Sequence, residues 1–123
     1  NFHPDLLNTE LRKHSEYNTS FAYKQNVLTM RLDTFVVSQR LEVIDYLWID
    51  AQGNDFNCLK SLGNEITRLK AGRCETMYKV PIYDNDNANN VDDVTAWLKD
   101  KGFAVKIAYT HADDSEIDLE FWR

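Results

Sequence analysis

The segment Tyr46-Leu-Trp-Ile-Asp-Ala-Gln-Gly-Asn-Asp55 constrains the fold of this chain more than any other. It completes a nearly continuous apolar run from Val43 to Ile49, broken only by Asp45, and ends that run on a carboxylate. Such a run fits a strand covered on both faces, as in a parallel sheet. Gly53 supplies a tight turn, and Asn54 or Asp55 can cap the next helix by accepting bonds from its free N–H groups. Phe56, Leu59, Leu62, Ile66 and Leu69 then recur at helical spacing and make one apolar face. Gly63 weakens that helix and Gly72 ends the connection. An acid at the carboxyl end of a buried strand stands where α/β sheets bind ligands, so Asp50 is the first candidate for chemistry.

The rest of the chain extends this pattern. Residues 1–25 form a polar lead-in, in which Leu6, Leu7 and Leu11 could line a short helix begun after Pro4. Val27 to Leu32 has strand character, and Asp33 stands as an N-cap candidate before a short helix or turn over Thr34 to Arg40. Arg73 to Val80 reads as another strand with Glu75 inside it. Asp84 to Asn90 is a loop of turn formers, and Asn90 caps a helix whose buried stripe is Val91, Val94, Trp97 and Leu98. Gly102 stops that helix. Phe103, Val105, Ile107 and Tyr109 alternate on one face, Ile117, Leu119 and Phe121 do the same, and the polar residues between predict an antiparallel hairpin. The order is strand, helix, strand, helix, hairpin: a single α/β domain over 1–123 whose sheet has a mixed edge.

Composition excludes several function classes. The net charge of −6 and the absence of a basic stripe argue against nucleic-acid binding. No apolar run approaches the ~20 residues of a membrane span, and the amino terminus resembles no signal peptide. Cys58 and Cys74 fall on different elements without CxxC spacing, so both are expected reduced and packed. Asn18-Thr-Ser20 matches a glycosylation sequon, which matters only in a secreted protein. The numbering opens at Asn1 rather than Met, so the chain is expected to be a trimmed piece of something longer.

Each candidate side chain has a plainer structural role beside its chemical one. Asp50 is either an active-site carboxylate or a helix-start acid that satisfies backbone N–H groups. Asp55 reads as a cap, and Gly53 as a glycine needed for its backbone angles. Glu75, if buried, must be paired or protonated, and it is equally well paired with Arg73 on an exposed edge. His3, His14 and His111 lie near no other ligand at metal spacing and read as surface residues; no metal is expected. The acidic loop Asp84 to Asn90 lacks the Gly and final Glu of an EF-hand and reads as solvated.

Three stretches carry a family resemblance. Thr29-Met-Arg-Leu-Asp-Thr-Phe35, Ile44-Asp-Tyr-Leu-Trp-Ile-Asp-Ala-Gln-Gly-Asn-Asp-Phe56 and Leu59-Lys-Ser-Leu-Gly63 resemble the FkbM-like methyltransferases. Their pattern is roughly a Leu-Asp pair, a spacer, and Ile-Asp-Val-Glu/Gln-Gly before a helix with Leu-Lys-Gly. Glu75 resembles the acid on the next strand, and Lys101-Gly-Phe103 the Gly-Phe before the final hairpin. The resemblance spans about Asn18 to Trp122. It implies a partial Rossmann-like methyltransferase sheet, strands four to seven, ending in the antiparallel hairpin. It also implies methyl transfer from S-adenosylmethionine to a hydroxyl of a sugar or other small molecule; a cytoplasmic location is expected beside it.

On this resemblance Asp50 and Glu75 are the expected catalytic carboxylates. Asp50 and Gly53 are the expected cofactor contacts, and Gln52, Asp55, Asn18 and Ser20 the acceptor-binding side chains. Two departures limit it. No GxGxG occurs among the four glycines, and the acid that would end the second strand and grip the ribose is absent. The chain is therefore expected to lack turnover alone and to need S-adenosylmethionine held by a missing amino-terminal half. An upstream segment, a partner chain or a homodimer is expected to cover the strand-four edge, because an open apolar edge is a pairing liability. The alternative reading is a non-catalytic assembly module that pairs this edge with another chain.

Overall fold

The computed structural model describes residues 26–78, 90–112 and 115–123. Its elements, in chain order, are α1 (Leu32–Ser38), β1 (Leu47–Ile49), α2 (Asp55–Lys60), a 3-10 helix (Gly63–Arg68), β2 (Ala71–Met77), α3 (Val91–Asp100), β3 (Ala104–Thr110) and β4 (Glu116–Trp122). The strands form one four-stranded sheet in the order β1-β2-β4-β3. β1 and β2 run parallel, as a strand–helix–strand connection requires. β4 enters antiparallel between β2 and β3, which makes the sheet mixed.

Alternation along the strands divides the sheet into two unlike faces. Cys74 and Thr76 of β2, with Ile117, Leu119 and Phe121 of β4, point to the helical side and are buried. There they meet Leu59, Leu62, Ile66 and Leu69 from the β1–β2 connection and Val94 and Leu98 from α3 in one core. Phe103 and Phe121 close it edge to face, with ring centroids 5.3 Å apart. Asn90 caps α3 as its sequence predicts, accepting from the Asp93 N–H at 2.9 Å. On the opposite face the described residues place no helix. Trp48, Arg73, Glu75, Asp118, Glu120, Lys106 and Trp122 line it, with Arg73 paired to Asp118 and Lys106 to Glu120.

Several local expectations are corrected. Residues 27–31 are unpaired and exposed rather than a strand, and α1 starts early, at Leu32. The hydrogen bonds available there lie on another element: Leu32 N–H donates to the Ser61 hydroxyl and Asp33 N–H to the Ser61 carbonyl, which docks α1 on the end of α2. The Val43–Ile49 run is a strand only over Leu47–Ile49, with an isolated parallel bridge from Ile44 to Leu69. It is covered on one face, since Trp48 on the other is 68% exposed. The helix expected through Leu69 breaks at Gly63, whose φ of +52° is left-handed, and continues as 3-10 turns. Gly72 lies inside β2 rather than ending the connection, because the backbone is already extended at Leu69 and β2 begins at Ala71. Finally, Tyr109 does not share a face with Val105 and Ile107. The β3–β4 register shifts between Ile107 and Tyr109, so Ile107 sits opposite Leu119 but Tyr109 opposite Asp118. One extra residue flips the strand's facing, and this bulge aims Tyr109 at the open face.

Candidate functional site

The carboxyl ends of β1 and β2 and the turn end of the hairpin meet at one edge of the sheet. Trp48, Ile49, Asp50, Arg73, Glu75, Tyr109, His111 and Asp118 line a cleft of about 330 Å³ there. β1 carries Asp50 to this rim as the apolar run predicts, and its side chain is exposed. Gln52 Nε2 donates to Asp50 Oδ1 at 2.8 Å. Gln52 takes a left-handed φ of 49° and Gly53 one of 85°, so the turn folds Gln52 back over the acid that precedes it.

Glu75 reaches the same cleft from β2. Arg73 does not pair with it as one sequence reading allowed; the guanidinium binds Asp118 Oδ2 through Nε at 3.1 Å and Nη2 at 2.5 Å. Glu75 instead has His111 Nε2 at 3.3 Å from its Oε1 and a side-chain hydrogen bond with Glu116. Burial, followed by the charges of Glu116, Asp50 and Asp55, pushes the Glu75 carboxyl up to about 8. A carboxyl that holds its proton near neutral pH can donate as well as accept.

Asp55 lies beneath the rim rather than on it and is fully buried. Its two carboxylate oxygens accept from backbone, Oδ2 from Ala51 N–H and Oδ1 from Glu75 N–H, each at 3.3 Å. It thus ties the β1–α2 turn to β2 and sets the distance between the elements that carry Asp50 and Glu75. Desolvation pushes its carboxyl from the ordinary value of 3.8 up to about 6, with the Asp50 charge adding to the rise and the backbone donors opposing it. The folded state therefore holds this proton more tightly than the unfolded chain. The stability so contributed is complete below about 3.8 and is lost as pH rises through about 6. Urea midpoints at about pH 4 and pH 7 should show wild type losing on the order of 1–3 kcal/mol more than Asp55→Asn over that interval, at ~1.4 kcal/mol per pKa unit. Equal losses in the two proteins would show that Asp55 does not carry this titration.

Of the side chains singled out in the sequence, Asp50, Gln52, Gly53, Asp55 and Glu75 are brought together at this edge. Asn18 and Ser20, with the loop over 84–89, lie outside the described residues. Sequence reasoning missed Tyr109, His111, Glu116 and Asp118. Asp118 was legible: alternation against Ile117 and Leu119 puts it on the face opposite the core. Tyr109 was hidden by the bulge. His111 shows no metal-ligand spacing in the sequence and reads there as a surface residue, whereas the fold places it 3.3 Å from Glu75. Cys58 and Cys74 are free thiols, and burial raises both above the usual range. No helix among the described residues is long and apolar enough to cross a membrane.

An α/β sheet presenting a carboxylate at the end of a parallel strand fits the methyltransferase resemblance seen in the sequence. A comparison with protein-family models matches the methyltransferase FkbM domain over residues 3–105. Searches of curated proteins and of solved structures find no match. The family match takes in α1, β1, the Asp50–Asp55 turn, β2 and α3, and it ends inside β3. The chain belongs to the FkbM methyltransferase family.

Proposed function

We propose that this chain supplies the acceptor side of an S-adenosylmethionine-dependent O-methyltransferase acting on a small-molecule or sugar hydroxyl, and that it does not turn over alone. The observation that carries this reading is Asp50. Its carboxylate leaves the end of β1 at the rim of the cleft, held by the Gln52 amide, with Glu75 across from it. S-adenosylmethionine, when bound, supplies a methyl group on a sulfonium for in-line displacement. The Asp50 carboxylate and the rings of Trp48 and Tyr109 suit such a cation. The fit covers the reacting end alone: Gly53, Gly63, Gly72 and Gly102 are dispersed, and no glycine-rich turn is present to take the nucleoside.

Within this division of labour, Asp50 takes up the acceptor's hydroxyl proton or orients that hydroxyl, and Glu75 and His111 bind its neighbouring polar groups. Gln52 fixes the carboxylate, and Asp55 holds the two strand ends in register from below. Strands supplied by upstream sequence, a partner chain or a second copy pair with β1, an edge strand of the described sheet, and cover the face that carries Trp48. A cytoplasmic location goes with this reading and with two reduced thiols. Calorimetric titration of the 123-residue chain with S-adenosylmethionine is the test. The expected result is no micromolar binding; micromolar affinity for this chain alone would show that the cofactor's main contacts lie within it.

A further inference from the structure

We infer that Glu75, His111 and Glu116 form a binding site for a divalent first-row metal ion at the rim of the cleft. Each side chain presents a ligand atom, and these atoms all lie within 4.8 Å of one another. Around an octahedral ion with bonds of about 2.1 Å, neighbouring ligand atoms stand about 3 Å apart and opposite ones about 4.2 Å apart. The separation of His111 Nε2 from Glu75 Oε1, 3.3 Å, falls in the neighbouring range. Only a small closing movement is needed for the three to share one ion.

The ligands come from three strands: Glu75 from within β2, Glu116 from the first position of β4, and His111 just past β3. β4 is hydrogen-bonded to both neighbours, so the relative placement of the three is set by the sheet. All three are partly buried, which lowers the cost of desolvating them, and the entering ion displaces to solvent the proton that Glu75 shares with Glu116. The donor set is two carboxylates and one imidazole. Oxygen donors favour Mg2+ and Mn2+, and an imidazole favours the transition ions, so Mn2+ and its first-row neighbours suit the mixture. Asp118 Oδ1 lies 3.9 Å from His111 Nε2, near enough to approach an ion held there, although its other oxygen is engaged by Arg73. Three protein ligands leave positions open toward the cleft that holds Asp50. An acceptor oxygen on the ion there would lose its proton more readily. That role rests on the methyl-transfer reading; ion binding itself does not.

The test is titration of the full chain with MnCl2, followed by the electron paramagnetic resonance of free Mn2+ and by calorimetry. One saturable site is expected, weakened at least tenfold by Glu116→Gln and by His111→Ala. The surface substitution Asp100→Asn should leave it unchanged. Far-UV circular dichroism of each variant checks the fold. Should His111→Ala fail to fold, the nearly isosteric Glu116→Gln decides. Absence of a saturable site, or undiminished affinity in Glu116→Gln, overturns the assignment. No cofactor or acceptor enters this titration, so its failure would leave the methyl-transfer reading standing, and loss of that reading would leave the ion site standing.

Discussion

On the proposed reading, Asp50→Asn should lower kcat for methyl transfer by about 10² or more, the usual contribution of a positioned general base. The substitution keeps the shape of the side chain and removes its basicity. An amide cannot take up the hydroxyl proton that must leave as oxygen attacks the sulfonium methyl. Asp50 is exposed at the rim and belongs to no core contact, so folding should be unaffected. The Gln52 amide can still donate to the carbonyl oxygen of the new side chain, so the turn should hold its form. The expected signature is therefore a fall in kcat with little change in KM for the acceptor, because the defect appears where charge develops. Initial rates with radiolabelled S-adenosylmethionine measure it. A variant working at the wild-type rate would remove Asp50 from the chemistry and leave it a helix-start acid.

The position of Asp50 was legible because two independent signals agreed: an apolar run long enough to be a buried strand, and a glycine turn after it. The hairpin was legible for the same reason, from alternation in Ile117, Leu119 and Phe121. What failed was whatever depended on a partner distant in sequence. Val27 to Leu32 has strand composition, yet no strand in the described sheet lies beside it, and its last residue, Leu32, is drawn into a helix by Ser61. Trp48 belongs to an apolar run but faces outward, because the described elements cover only one side of the sheet. Tyr109 follows the period-two pattern of β3, but an unpaired extra residue reverses it. A bulge costs one hydrogen-bonded position and leaves no mark in composition. His111 was not legible as a possible ligand because its partner Glu75 comes from β2, and no spacing rule reaches across a sheet. The candidate cleft is thus half readable: the positions of Asp50 and Glu75 were legible, and those of Tyr109 and His111 required the fold.

Gly72→Ala should cost the chain about 3 kcal/mol, at the upper end of what overpacking by one methyl usually costs. A Cβ built on Gly72 would lie 2.5 Å from the carbonyl oxygen of Leu47 and 2.5 Å from Cζ of Phe121. The first is backbone of the parallel neighbour, and Leu47 is the register partner of Gly72. The second is the edge of a fully buried ring, held edge to face by Phe103. Neither can retreat without moving something else: displacing Leu47 loosens β1 from β2, and displacing Phe121 opens the core. The glycine is needed for close approach across the sheet rather than for a left-handed turn. In denaturant titration the midpoint should fall with m unchanged, since the surface exposed on unfolding is the same. Combining Gly72→Ala with Phe121→Leu should recover only part of the loss, because the clash with the Leu47 carbonyl remains. Full recovery in the double variant would place the whole strain on the ring, and an undiminished midpoint in the single variant would mean that β1 does not lie against β2 in this register.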